Sequence, residues 1–404
     1  MNKRYSADQI RGLTISMKLI RNVKIILRDN IVEGAVLFSN KIESIILEDI
    51  DAYINVCKDN YRQLSVLDGK GCYLSPGFID IHIHGTAGYD TMDESQQALS
   101  QIKKSLIKSG VTSFLATTMS MPIDVIKRAL GSIRYEIDKE NIGSDGARIL
   151  GCHLEGPFLN KEYKGAQNLK NIVLPDIELV KDFTDIIKIV TIAPEIEAAE
   201  PLIRYLTDEG IITSAGHTGS SYEDILTARK WGLSHVTHLF NGMTKLHHRN
   251  PGIIGAVLTT DMSCELIADF IHIHPAVLKI VLQTKELDKI ILITDQNRAG
   301  TLDEGEYDLG GQKVIVKDGS ARLEDGSLAG SVLTLDQAVR NISQISDLNL
   351  NEIINMVTYN PACLVGMEDQ IGSVKEGNRA DFVILNSNLE VMNVYKDGQL
   401  QNLY

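Results

Sequence analysis

Between Phe78 and Asp295 the chain alternates short, continuous apolar runs with segments whose apolar residues recur every third or fourth position. The runs FIDIHIH (78–84), VTSFLATT (111–118), ARILGCHL (147–154), IIKIVTIA (186–193), GIITSAGH (210–217), LSHVTHL (233–239), CELIADFIH (264–272) and KIILITD (289–295) read as buried strands. Leu99, Ile102 and Leu106 mark one face of an intervening helix, which Gly110 closes. Eight strands with helical crossovers over about 290 residues predict a (β/α)8 TIM barrel, with a doubly wound open sheet as the alternative on pattern alone.

The two ends read differently. From about residue 18 to 75 the chain is a series of short strands, VKIIL (23–27), AVLFS (35–39) and ESIILE (43–48), with turns at Asp29-Asn30 and Asn40-Lys41. Residues 380–385 and 391–395 are also strand-like, followed by the turn dipeptide Asp397-Gly398. The expected organisation is a barrel over 76–362, with residues 1–75 and 363–404 as the two parts of one small β-sandwich.

Charge narrows the partners. A net charge of −13 disfavours nucleic acid and anionic membrane, yet leaves room for a small anion held by local cations. No run approaches the roughly 18 apolar residues that span a bilayer. Lys18, Arg21 and Lys24 break the first apolar stretch, so a soluble, cytoplasmic protein is expected. Five scattered cysteines without a CxxC pair read as buried apolar residues rather than a disulfide framework.

All ten histidines fall between positions 82 and 274, inside the expected barrel. His82, His84, Glu155, His217, His238 and Asp295 stand at or just past the C-terminal ends of five predicted strands, which converge on one mouth in such a barrel. His82 and His84, two apart on a strand, share a face. Each feature has a plainer reading: a core histidine pair, a loop carboxylate in HLEGP, a helix cap at Asp295. Together, imidazoles and a carboxylate make a metal site with an open position for water, and Asp295 is a carboxylate able to carry its proton. His153, on the opposite parity to Glu155, reads as a supporting or core histidine rather than a ligand. In LHHRNPG (246–252), His247, His248 and Arg249 form a cation cluster suited to phosphate, or else a solvated loop. SLAGS (327–331) is a small-residue segment whose backbone N–H groups can approach a ligand. Walker A, GxGxxG, GxSxG and HExxH motifs are absent from the sequence.

These residues lie in blocks that resemble the amidohydrolase superfamily, and within it the deacetylases of amino-sugar 6-phosphates. The blocks are PGFIDIHIHG (76–85), HLEGPFLN and KGAQN (153–168), SAGHTGSSYED (214–224), THLFNGM with HHRNPGIIGAVL (237–258), IADFIHI (267–273), LITD (292–295), LAGS (328–331), NPA (360–362) and GSVKEGNRADFVIL (372–385). The resemblance implies a (β/α)8 barrel with a β-sandwich built from both chain ends. It implies a main metal site at Glu155, His217 and His238, a second at His82 and His84, and Asp295 as general acid and base. The cofactor would be one or two divalent cations, zinc, iron, manganese or cobalt. Substrate contacts would fall to Ala166, Asn241, Gly242, His248, Arg249, His272, Leu328, Ala329 and Gly330. Members are homodimers in which the loop carrying Arg249 reaches the neighbouring subunit's phosphate.

The implied reaction is removal of acetate from N-acetyl-D-glucosamine 6-phosphate in amino-sugar catabolism. The galacto epimer, a cyclic amide, or a catalytically silent binding barrel are the alternatives. The chain departs from its relatives at Gly242 (usually Ala), Asn250 (usually Glu) and Gln296-Asn297-Arg298-Ala299 (usually a segment like AMRA), changes expected to flank the sugar pocket.

Overall fold

The computed structural model describes residues 16–403 apart from 62, 96 and 141–143; the first fifteen positions of the expected N-terminal segment lie outside the described residues. All eight expected strands form, as β1 (Phe78–Ile83), β2 (Val111–Thr117), β3 (Arg148–Glu155), β4 (Ile187–Ile192), β5 (Ile212–Ala215), β6 (His235–Val236), β7 (Ser263–Ile267) and β8 (Ile290–Ile293). They lie side by side in sequence order, every pair parallel. No reversal of order occurs, which removes the doubly wound alternative. The edges meet without a full ladder: the Asp295 N–H donates to the His82 carbonyl at 2.9 Å, beside an isolated parallel bridge between Ile83 and Gln296. The barrel is thus nearly closed, and closure brings the His82 strand against the Asp295 strand.

Two strands are shorter than their apolar runs. β6 stops at Val236 because His238 and Phe240 turn the chain through left-handed backbone, at φ 29° and 80°. β7 stops at Ile267, so His272 is not at a strand end; it sits in a turn where Asp269 accepts from the N–H groups of Ile271 and His272.

The ends of the chain share a second sheet. Tyr73–Pro76 pairs antiparallel with Phe382–Leu385, so N- and C-terminal strands stand in one ladder. Alternation works on both faces. Ile20, Ile25, Val36 and Phe38 pack with Phe382 and Tyr395, whose rings meet Phe38 edge-on at 5.3 and 5.7 Å. Leu19, Ala35 and Leu37 face the other way, onto Ile54 and Cys57. Those two residues belong to a helix, Ile50–Asn60, inside the stretch expected to be only strands. They are its only buried side chains, a stripe too narrow to register as helical periodicity. A three-stranded antiparallel sheet, Gly305–Leu309, Gln312–Lys317 and Ser320–Leu323, was likewise not expected; it is inserted after β8.

Barrel and end sheet are joined by buried charge. Arg148, the first residue of β3, donates from Nη1 to Asp381 at 2.9 Å and from Nη2 to Asp397 at 2.7 Å. Asp381 also accepts the Asp397 N–H at 2.6 Å, and Arg379 reaches Asp397 at 3.0 Å. Burial alone would depress the Arg148 pKa, but the two carboxylates reverse this and raise it.

Candidate metal and catalytic centre

The six expected residues converge. His82 and His84 rise from β1 and Glu155 ends β3, all buried. His217, His238 and Asp295 each follow a strand by two residues, after β5, β6 and β8. All three have left-handed backbone, at φ 49°, 29° and 49°. Side-chain-bearing residues rarely adopt that conformation, and where they do the surroundings must hold it. Here it turns three side chains back over the mouth.

Four Nε2 atoms surround the Glu155 carboxylate. Those of His238 and His217 lie 2.9 and 3.2 Å from Oε1, and that of His84 lies 3.2 Å from Oε2. His82 is farther, at 3.6 Å from Oε1. Asp295 Oδ1 stands 3.3 Å from His84 Nε2 and 3.5 Å from His82 Nε2. Burial opposes ionisation of Glu155, but the four histidines around it, His82 foremost and then His217, His238 and His84, outweigh it and hold the carboxyl well below its usual range. Asp295 is likewise lowered: burial raises its pKa, while His82 and His84 more than compensate. For His82, burial disfavours the cation, yet Glu265, Glu155 and Asp295 push its pKa up to about 9.

These residues fit a divalent cation. His217 Nδ1 donates to the Tyr163 carbonyl at 2.9 Å, so its Nε2 carries a lone pair. That atom lies 3.2 Å from His238 Nε2, close to the spacing of about 3.4 Å between ligands around a tetrahedral zinc. His82 Nε2 is buried and has no hydrogen-bond partner. Among the described residues no lysine or arginine pairs with Glu155, Glu265 or Asp295, so apart from the histidines no basic side chain balances the buried negative charge. Two buried groupings, His82–His84–Glu155 and Glu155–His217–His238, could each hold an ion.

His153 is supporting rather than ligating. Its Nδ1–H donates to the Ile81 carbonyl at 3.0 Å, so Nε2 accepts from Thr191 Oγ1 at 2.7 Å. That direction propagates outward through Thr237 and Ser214 hydroxyls, at 2.7 and 2.6 Å. Burial, then the neighbouring His82, drives the His153 pKa down to about 3, so the ring stays neutral.

The remaining expected residues are spread around this cluster. The Asn241 side-chain amide donates to the carbonyls of His238 and Leu239. Gly242 sits at φ 59°, where a Cβ would come 2.9 Å from His217 Nδ1, so the departure there bears on a candidate ligand. The Ala166 carbonyl accepts from Gln312 of the inserted sheet at 2.5 Å. In the Leu328–Gly330 segment the Ala329 N–H is already given to Ala321, and the following Ser331 N–H to the Asp295 carbonyl, so neither is free for a ligand. His272 is held by Asp269 through Nδ1 at 2.6 Å. His248 and Arg249 are not brought into the cluster; they lie on an exposed loop, bonded to each other at 2.8 Å.

Two residues that hold the cluster together were missed. Glu265 accepts from His82 Nδ1 at 2.9 Å; an acid within a buried apolar strand was the available signal. Gln167 donates to Glu155 Oε2 and accepts from the Ser120 N–H, both at 2.7 Å; its place beside Ala166 in the KGAQN block was the available signal. Gln167→Ala is expected to loosen Glu155 and weaken zinc affinity about 10- to 100-fold with the fold intact. Chelator-competition titration reads the affinity and circular dichroism the fold; unchanged affinity would deny Gln167 this part.

The model of the Amidohydrolase family matches residues 73–400. The N-acetylglucosamine-6-phosphate deacetylase of Lysinibacillus sphaericus is 43% identical over 340 residues, 83% of this chain and 87% of that one. The N-acetylgalactosamine-6-phosphate deacetylase of Escherichia coli O157:H7 is 36% identical over 83% of this chain and 90% of its own. The crystal structure of the N-acetylglucosamine-6-phosphate deacetylase of Thermotoga maritima superposes with a TM-score of 0.85 at 35% identity, covering 96% of this chain and 99% of that one.

Proposed function

We infer that this chain, which belongs to the amidohydrolase family, hydrolyses N-acetyl-D-glucosamine 6-phosphate to D-glucosamine 6-phosphate and acetate in amino-sugar catabolism. The observation that carries the reading is Glu155, His217 and His238 converging beside Asp295 at the mouth of a barrel that shares 43% identity with a deacetylase of that name.

A divalent cation held by Glu155, His217 and His238, with room for a second at His82 and His84, would draw charge from the acetyl carbonyl and acidify the attacking water. Zinc, iron, manganese and cobalt all suit this donor set. Asp295, held ionised, takes the water proton as the new C–O bond forms. It then delivers that proton to the sugar nitrogen as the C–N bond breaks, leaving acetate and a free amine. His272, its Nδ1 committed to Asp269, leaves Nε2 for orienting the substrate. Arg249 and His248, exposed and without a carboxylate partner among the described residues, are suited to the 6-phosphate. In a homodimer this loop would serve the neighbouring subunit's site. No helix among the described residues is long and apolar enough to cross a membrane, and we read the enzyme as cytoplasmic.

The test is acetate release from the gluco and galacto epimers of the N-acetylated sugar 6-phosphate. Faster turnover of the gluco epimer is expected, in line with 43% against 36% identity to the two named deacetylases. A faster galacto reaction would reassign the substrate, and cation-loaded protein that turns over neither would end the reading. Chelation should abolish turnover and added zinc or manganese restore it; full activity after exhaustive chelation would rule out the metal.

A further inference from the structure

Glu265 lies inside β7 with no exposed surface, and the chemistry proposed for the site gives it no part. Its Oε2 accepts from His82 Nδ1 at 2.9 Å and from the backbone N–H of His238 at 3.0 Å. Its Oε1 lies 3.4 Å from His235 Nε2, whose other ring nitrogen is paired with Ser263 at 2.7 Å. We propose that Glu265 is a positioning residue shared by both halves of the site. It holds His82 as the Nδ1–H tautomer with Nε2 free for a cation, and it anchors the left-handed backbone that turns His238 toward Glu155.

The argument is one of donors and acceptors. An ionised carboxylate only accepts, so His82 Nδ1 must carry a hydrogen, and Nε2 is the nitrogen left to give up its proton in exchange for a cation. Nothing else claims that Nε2. It is buried, without a hydrogen-bond partner, and its nearest carboxylate oxygens stand at 3.5 and 3.6 Å, beyond good hydrogen-bond length. His153 cannot take over, because its own Nδ1–H goes to Ile81; this also disqualifies the buried His82–His153–Glu265 grouping as a cation site. On the other side, His238 at φ 29° would bury an unsatisfied N–H without Glu265. The same oxygen therefore fixes a ligand of each candidate cation position, across a sequence separation of 183 residues to His82 and 27 to His238.

This inference rests on the reading of the centre as cation-dependent. It is tested by zinc titration under chelator competition on the full chain and on Glu265→Ala and Glu265→Gln, with ring-nitrogen NMR of His82 in the zinc-bound state. Glu265→Ala is expected to lose about 10- to 100-fold in zinc affinity and to release the His82 proton from Nδ1. Glu265→Gln keeps a carbonyl acceptor at the same place, so it should recover part of that loss while staying about tenfold weaker than wild type. If Glu265→Ala does not fold, Glu265→Gln decides. Folded variants that bind zinc as tightly as wild type overturn the inference, as does a zinc-bound wild-type protein in which Nε2 rather than Nδ1 of His82 carries the hydrogen. Wild-type protein that binds no zinc at all sinks the cation-dependent reading with it, so the two failures are distinguishable.

Discussion

Asp295→Asn is expected to bind a divalent cation nearly as well as the wild-type chain and to release acetate about 10³-fold more slowly or worse. The substitution is nearly isosteric, and the backbone at this position is fixed independently of the side chain. The Asp295 N–H goes to the His82 carbonyl at 2.9 Å and its carbonyl accepts from Ser331 at 2.7 Å. Left-handed φ is tolerated by asparagine as well as by aspartate, so the turn after β8 survives. What disappears is a carboxylate kept ionised in a buried site, the one group there with both a lone pair for the water proton and a place to pass it on. Acetate release measured beside cation stoichiometry separates the outcomes. Near-wild-type turnover would remove Asp295 from the chemistry. Loss of the cation together with turnover would make Asp295 a ligand, consistent with its 3.3 Å approach to His84.

The second large effect is on stability. Arg148→Met should destabilise the fold by about 3–5 kcal/mol, because Asp381 and Asp397 are left buried without their cation. Arg379 reaches only Asp397, so it cannot compensate for both. Urea unfolding followed by circular dichroism gives the value. Adding Asp381→Asn and Asp397→Asn to Arg148→Met is expected to recover much of the loss, since the penalty lies in unpaired charge rather than in the missing side chain. A loss under about 1 kcal/mol would mean the clamp behaves as a solvated surface pair.

A pattern that repeats along the chain was readable without coordinates. Apolar runs of strand length between helical spacings led to eight strands in the right order, because burial on both faces of a parallel strand leaves that mark locally. The strand-end positions of His82, His84, Glu155, His217, His238 and Asp295 followed, since a closed parallel barrel allows its C-terminal ends only one meeting place. The signal failed where a feature is weakly patterned. The helix Ile50–Asn60 buries only Ile54 and Cys57, and the inserted sheet over 305–323 buries Val314 and Val316 in the core while exposing Lys313, Ile315 and Lys317, but its short strands stand outside the repeat of the barrel.

Tertiary structure alone decided how the six residues are held. Left-handed backbone at His217, His238 and Asp295 has no local cause in sequence; it is imposed by hydrogen bonds from distant segments, among them Glu265 to the His238 N–H. Tautomers at His82, His153 and His217 depend on Glu265, Ile81 and Tyr163, partners brought close only when the barrel closes. Sequence therefore determined which side chains gather at the mouth, because periodicity is a local property. Folding decided which lone pairs they present there, because a ring nitrogen's proton follows the acceptor beside it, and that acceptor comes from another strand.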